Sequence, residues 1–200
     1  MKILLVVPFA FALLTNPTSR SAALAGEHDW VVDAGHSSVV FRVRHADAAW
    51  FKGSFDAVEG TVSLDPAKPE AGSVTLKIPV DSVDTNSKQR DDHLKNADFF
   101  NSKENPDITF KSSKIEKKGA GLEVTGELAM AGKSKVITIP VELVGTSESQ
   151  MMGKRAGYST TFTLKRSEFG MNYGVAQKAL GDEVTLMIDL ELVPAKAAKK

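Results

Sequence analysis

Apolar and polar residues alternate with a period of two through most of the chain, the mark of strands that bury one face and wet the other. In Ser38 to His45, Val39, Phe41, Val43 and His45 share a face while Arg42 and Arg44 take the other. Gly53 to Asp65 repeats the pattern with Val58, Val62 and Leu64, but Phe55 is out of phase, which predicts a bulge or bend before Gly60. Six further runs alternate in the same way, at Val74–Val80, Ile108–Lys111, Leu122–Met130, Ile137–Leu143, Tyr158–Lys165 and Val184–Leu192. Gly119-Ala120-Gly121 and Ala131-Gly132-Lys133-Ser134 supply turn signals between neighbouring runs.

Eight strand candidates at mostly hairpin spacing pose a choice between a sandwich and a barrel. Each has a single apolar face, and several are long, so closing one antiparallel sheet on itself would hide every edge and every apolar face together. The fold class expected is therefore all-β, an eight-stranded antiparallel barrel. Such a barrel is either just filled by its own side chains or just wide enough for one small ligand. Here the inward set is aliphatic and aromatic, and any cavity it leaves favours a lipid-like guest. The residues expected to line it are Phe41, Val43, Leu76, Ile78, Phe110, Leu128, Met130, Phe162, Leu164 and Phe169.

One connection, between Val80 and Asp107, is too long for a hairpin, and loops of that length inside a domain usually carry function or structure of their own. Its middle, Ser87 to Asn96, reads as a short helix with Asn86 or Ser87 as N-cap. Leu94, Phe99 and Phe100 give this segment apolar groups to insert, so it is expected to plug or cover one barrel end, with Phe99 and Phe100 joining the lumen wall.

Composition narrows the function. Of 200 residues, 25 are Lys or Arg and 25 Asp or Glu, and none is Cys. Disulfides, thiolate metal sites and a Cys nucleophile are excluded. The balanced charge argues against nucleic acid as a partner, which would need a concentrated basic surface. Lys2, the apolar run Ile3–Leu14 and the A-x-A string Ala23-Leu24-Ala25 form the tripartite pattern of a cleavable export signal over residues 1–25. The remaining chain is expected to be one domain, residues 26–193, with a frayed basic tail at 194–200, located in a bacterial periplasm without a membrane-spanning segment.

Polar candidates are few. His28 lies in an unpatterned stretch, and His36 precedes the first run beside Ser37, where a turn role is the simpler reading. His45 shares a face with Phe41 and Val43, so it either ends the strand at the rim or meets a ligand headgroup. Arg90, Asp91 and His93 fall within one helical turn. They read as a helix-start ion pair, or as Arg90 and His93 facing the barrel mouth. Arg166 is in phase with Phe162 and Leu164, and a guanidinium there needs a carboxylate such as Asp91 or Asp182, a set of carbonyls, or an anionic ligand. The polar rim of a ligand site is thus His45, Arg90, His93 and Arg166. Asp91-x-His93 is the single close pair of metal-ligand type, no Gly-x-Ser-x-Gly elbow occurs, and neither a metal nor a cofactor is expected.

Several strings match one family in order along the chain after the signal. They are Asp33-x-x-His36-Ser37, Val39-x-Phe41-x-Val43-x-His45, Gly53-x-Phe55 and Gly60-x-Val62-x-Leu64-Asp65, then Ser82-Val83-x-Thr85, Arg90-Asp91-x-His93-Leu94 and Asp98-Phe99-Phe100. Pro106-x-Ile108-Thr109-Phe110, Gly126-x-Leu128, Arg166-x-x-Phe169-Gly170 and Gly181-Asp182-x-Val184 complete the set. The sequence resembles the YceI-like family of exported, lipocalin-like polyisoprenoid binders. The resemblance implies a barrel with a helix that holds a polyprenyl phosphate, an isoprenoid quinone or a fatty amide, and it brings no catalytic residues. The partner expected is thus an isoprenoid or fatty lipid; a homodimer is left open, and nothing points to a delivery partner. Two other classes remain: a ligand-free stress or interaction protein acting through its surface, and an enzyme working on a lipid headgroup with His45 or His93 as acid or base.

Overall fold

The computed structural model describes residues 26–195. Eleven strands, β1 (Asp29–Val32), β2 (Ser38–His45), β3 (Ala49–Phe55), β4 (Glu59–Ser63), β5 (Ser73–Pro79), β6 (Val83–Asp84), β7 (Asp107–Lys118), β8 (Gly121–Met130), β9 (Lys133–Ser149), β10 (Gly153–Lys165) and β11 (Leu180–Pro194), form one antiparallel sheet with a single helix, α1 (Lys88–Leu94). The order β1-β4-β5-β7-β8-β9-β10-β11 closes on itself, because β11 also pairs with β1. The other three strands continue runs already counted: β2 lies on β11 beyond β1, β3 on β2, and β6 on β3. Each of the first three runs is broken once, and the result is a closed eight-run meander in which every run pairs with its neighbours in sequence and the last with the first.

The breaks have a common physical consequence. Buried Trp30 of β1 is followed across the break by buried Val39 and Val43, Val62 of β4 is preceded by buried Phe55, and Ile78 of β5 is followed by buried Val83. Each crosses from even to odd numbering or the reverse, so the interruption resets which side chains face inward. The bend predicted between Phe55 and Gly60 is the middle one of these. A register shift between Ser112 and Lys114 does the same for β7, carrying the inward phase from Phe110 to Ile115. The strand β1 is absent from the periodicity because four residues hold too few alternations to register.

Two inward positions are glycine for lack of room. A Cβ on Gly53 would lie 2.4 Å from the Phe41 ring on the facing strand, and one on Gly126 would lie 2.6 Å from the Phe110 ring and 2.5 Å from the Lys111 carbonyl oxygen. Both rings lie over bare backbone, which lets large aromatics line a narrow tube.

One barrel end is closed by Trp30, Leu64 and Leu192, all buried. The opposite end is covered by the connection holding α1, whose N-cap is Ser87 and whose Leu94, Phe99 and Phe100 pack on the core. The connection is tied to the barrel through Thr85: the Asp91 carboxylate accepts from the Thr85 N–H at 2.9 Å and from its hydroxyl at 2.5 Å, while Arg90 donates to the Thr85 hydroxyl and carbonyl oxygens at 2.8 and 2.6 Å. β11 runs one residue past the expected domain limit, with Pro194 opposite Trp30 and the Ala195 N–H donating to Asp29. The export signal expected over residues 1–25 and the remainder of the tail, 196–200, lie outside the described residues. Among those described, no helix is long and apolar enough to cross a membrane.

Candidate functional site

The inward side chains do not interlock completely. They leave two chambers, of about 100 and 120 Å³, stacked along the barrel and separated by Ile78, Ile108, Leu128, Phe162 and Ile188, which touch both. The first lies toward the Trp30 end and is walled by residues of β4, β5 and β7–β11, such as Val62, Val124, Ile139, Tyr158 and Leu190. The second lies under α1, between Phe41, Phe55, Leu94, Phe100, Met130 and Leu180. A single water needs about 10–15 Å³ of such space and two or more polar partners; these walls are wide enough but offer almost no polar surface, so they suit an apolar guest better than water. Along β11 the lining extends from Leu180 to Leu192, which at the rise of a tilted barrel strand gives a lumen roughly 30 Å long.

Of the lumen residues expected from the sequence, Phe41, Val43, Leu76, Ile78, Phe99, Phe100, Phe110, Leu128, Met130, Phe162 and Leu164 line one chamber or both. Phe169 lines neither. It is 1 % exposed and belongs to the 3-10 turn Arg166–Phe169, where the change from strand to turn takes it out of the alternation. The walls also use residues that sequence reasoning passed over, including Val62, Ile115, Ile139, Leu180 and Ile188. Ile139 and Ile188 were in phase and could have been selected; Ile115 was hidden by the phase change in β7.

The four expected rim residues do not converge as one set: His93 and Arg166 both meet Phe99 and Tyr173, while His45 and Arg90 have other neighbours. His45 is exposed at the end of β2, where the chain turns after one pair with Ala49, and lines neither chamber. Arg90 is exposed, its guanidinium over the Phe51 ring at 4.2 Å and its donors on Thr85. His93 bonds Asp98 at 2.9 Å and meets the rings of Phe99 and Tyr173 edge-on. Within α1, Arg90 and His93 therefore serve different partners.

Arg166 is the one charged side chain lining either chamber, and it is 4 % exposed. Its partners are carbonyl oxygens: Nε donates to Gly181 at 2.8 Å, Nη1 to Met171 at 2.8 Å, and Nη2 to Tyr173 and Leu180 at 2.7 and 3.0 Å. Burial pushes the guanidinium below its ordinary pKa, and nearby Asp182 opposes that shift. Asp182 is itself bound to the Ser167 N–H and hydroxyl at 2.9 and 2.8 Å, so it does not form the ion pair that the sequence suggested. Four of the five guanidinium N–H groups are taken, and the Arg166 side chain holds the 171–181 loop against the barrel mouth. Tyr158, in the first chamber, is half-buried, and desolvation raises its phenol above its ordinary pKa.

Asp33, His36 and Glu191 offer ligand atoms within 4.8 Å of one another. These groups satisfy each other or the fold: Asp33 accepts from the Gly35 N–H and contacts His36 at 3.0 Å, and Glu191 pairs with Arg155 at 2.9 Å. Their arrangement is that of a turn joined to a strand, the role the sequence gave His36.

Residues 30–192 match the YceI-like domain family. Protein YceI of Escherichia coli O17:K52:H18 is 34% identical over 178 residues, covering 89% of this chain and 92% of the relative. Among solved structures, Burkholderia cenocepacia BcnA superposes with a TM-score of 0.73 at 29% identity, over 80% of this chain and 98% of that one. A polyisoprenoid binding domain from Saccharophagus degradans, implicated in plant cell wall breakdown, shares the fold with a TM-score of 0.61 at 15% identity, over 82% and 98%.

Proposed function

The chain belongs to the YceI-like domain family, and from that we propose that it is an exported carrier that holds the apolar chain of an amphiphilic lipid along its barrel axis. Two stacked chambers with almost no polar wall carry this reading. Each buried methylene contributes about 0.8 kcal/mol, so roughly ten of them supply the 8 kcal/mol of a micromolar complex before ordering costs are subtracted. Affinity then needs little polar recognition, in keeping with walls that offer little. A polyisoprenoid, the ligand class for which the Saccharophagus degradans domain is named, is of the same chemical kind, and an isoprenoid quinone, a polyprenyl phosphate or a fatty amide would fit the description equally.

The polar end of the guest is proposed to lie at the α1 end, where Arg166 meets the second chamber. Acid–base chemistry on a headgroup has less support: His45 is exposed away from both chambers and His93 is engaged by Asp98. The periplasm is the compartment proposed, on the export signal in residues 1–25.

Native mass spectrometry of protein purified without detergent from its own periplasm, followed by solvent extraction, tests the reading. A stoichiometric adduct that extracts as a long-chain lipid is the expected result. A bare protein mass with no extractable lipid overturns it and favours a protein that works through its surface.

A further inference from the structure

The barrel wall is not hydrogen-bonded all the way round. β9 and β10 pair from Gly153 opposite Ser149 to Ser159 opposite Glu142, and there the ladder stops. Beyond it, Lys133 to Val141 pair only with β8, while Thr160 to Lys165 pair only with β11. Pro140 stands at the point of separation: its missing N–H is a donor that β10 would have used, since its carbonyl oxygen faces β10 and accepts from the Thr160 hydroxyl at 2.5 Å. The far end of the gap is bracketed by an ion pair between Lys135 and Glu168 at 3.0 Å. Between these two contacts lies a seam about five residues, or roughly 16 Å, long.

Outward side chains record the same separation. Continuing the register would set Thr138 opposite Thr163. Instead, the Thr138 hydroxyl bonds Thr125 on β8 at 2.8 Å and the Thr163 hydroxyl bonds Thr185 on β11 at 3.0 Å. A threonine row that should cross four strands is split into two pairs at the seam. The inward side chains along it, Ile137 and Ile139 on one lip and Phe162 and Leu164 on the other, line the chambers directly. On the outer side Val136 is 71% exposed.

We propose that this seam is the route by which the apolar chain of the ligand enters and leaves the lumen, sideways through the wall. The inference rests on the carrier reading and adds how the cargo is exchanged. Both barrel ends are closed by packed side chains, Trp30 and Leu192 at one and Phe99 and Phe100 under α1 at the other. Between the other long neighbours, β4–β5, β7–β8, β8–β9, β10–β11, β11–β2 and β2–β3, a lateral passage would break backbone hydrogen bonds. The two other unpaired edges are covered: Arg90 of α1 lies over Phe51 on the Ala49–Gly53 edge of β3, and the 3-10 turn Pro69–Ala71 flanks the Lys114–Lys118 end of β7. At the seam only side chains must move. A peptide strand is a poor occupant, because it needs about 4.8 Å on each side and the seam is held shut at both ends by direct contacts.

The chain has no cysteine, which makes a T138C/T163C pair unique. Bridging the two thiols through disulfides with a short bis-methanethiosulfonate is expected to slow uptake and release of dansyl-hexadecylamine by about tenfold or more, as a locked gate does, with recovery on reduction. A control bridge across a laddered pair, T75C/K111C between β5 and β7, is expected to leave both rates unchanged. Equal rates in the bridged and reduced seam variant, or equal slowing by the control bridge, overturn the seam. Failure of the unmodified protein to bind the probe or any extracted lipid instead strikes the carrier reading on which it stands. Amide exchange of the unaltered protein gives a second measurement: the N–H groups of Val136, Thr138, Thr161 and Thr163 face the seam and are expected to exchange far faster than those of Ile137 and Phe162. Uniform protection along both strands overturns the proposal without any variant.

Discussion

Arg166 shows how far a single residue's role follows from its type and phase. Its position in the alternation put a guanidinium on the lumen face, and physics then required partners. Which partners they are depends on where the 171–181 loop returns, and no local pattern encodes that. Four carbonyl oxygens supply the answer. Arg166→Met leaves those oxygens unpaired and is expected to cost about 3 kcal/mol, read as a lowered urea midpoint. Arg166→Lys should recover only part of the loss, since an ammonium has three donors and lacks the planar fork. Full recovery by Lys would mean that charge, and not the fork, holds the loop. Tyr158 makes a different kind of claim. Burial raises its phenol in the folded state, so the stability it carries is complete below the ordinary tyrosine pKa of about 10 and is lost as pH rises through the higher folded value. Tyr158→Phe is therefore expected to flatten the fall of stability above about pH 10 and to leave neutral pH untouched, measured by thermal unfolding across that window.

At the scale of elements, α1 is held by Asp91, which the sequence offered as a helix-start charge, and by Arg90, which it offered as a ligand contact. Asp91 and Arg90 converge on Thr85, which is buried and has both its hydroxyl and its backbone committed to them. Asp91→Ala removes two charge-assisted bonds and is expected to destabilise the protein by about 2–3 kcal/mol. Because α1 covers the second chamber, protection of the Leu94 to Phe100 amides should fall before that of the strands, which hydrogen exchange resolves. Unchanged protection there would place the anchor elsewhere, in Leu94, Phe99 and Phe100 themselves. The strands tell the complementary story. Where a run keeps one phase, as β8 does from Leu122 to Met130, the inward set was readable. Where the chain breaks and the phase resets, as between β1 and β2 or inside β7, alternation yields the strands on either side but not their shared identity. The seam could not be read at all, because a missing ladder is a relation between two strands. Pro140 was its one local trace.

The whole molecule carries a cost that the proposed carrier function explains. Two chambers of about 100 and 120 Å³, at about 24 cal/mol per Å³ of unfilled core, correspond to roughly 5 kcal/mol of stability forgone. That is comparable to the entire net stability of a weak domain. A chain of this composition has many larger apolar residues with which to close the gap, and the glycines under Phe41 and Phe110 show that its interior packing is tight where contact is required. Ile188 touches both chambers, so Ile188→Trp should extend an indole into the space between them. The lipid-free variant is then expected to gain about 1–2 kcal/mol over the lipid-free parent, while its retention of an apolar chain is lost. The two readouts must move in opposite directions. The parent should also gain more thermal stability on loading than the variant does, since only a ligand that binds the folded state shifts its unfolding. A variant that is destabilised and still co-purifies with lipid would mean that the indole meets packed side chains and that the guest lies elsewhere.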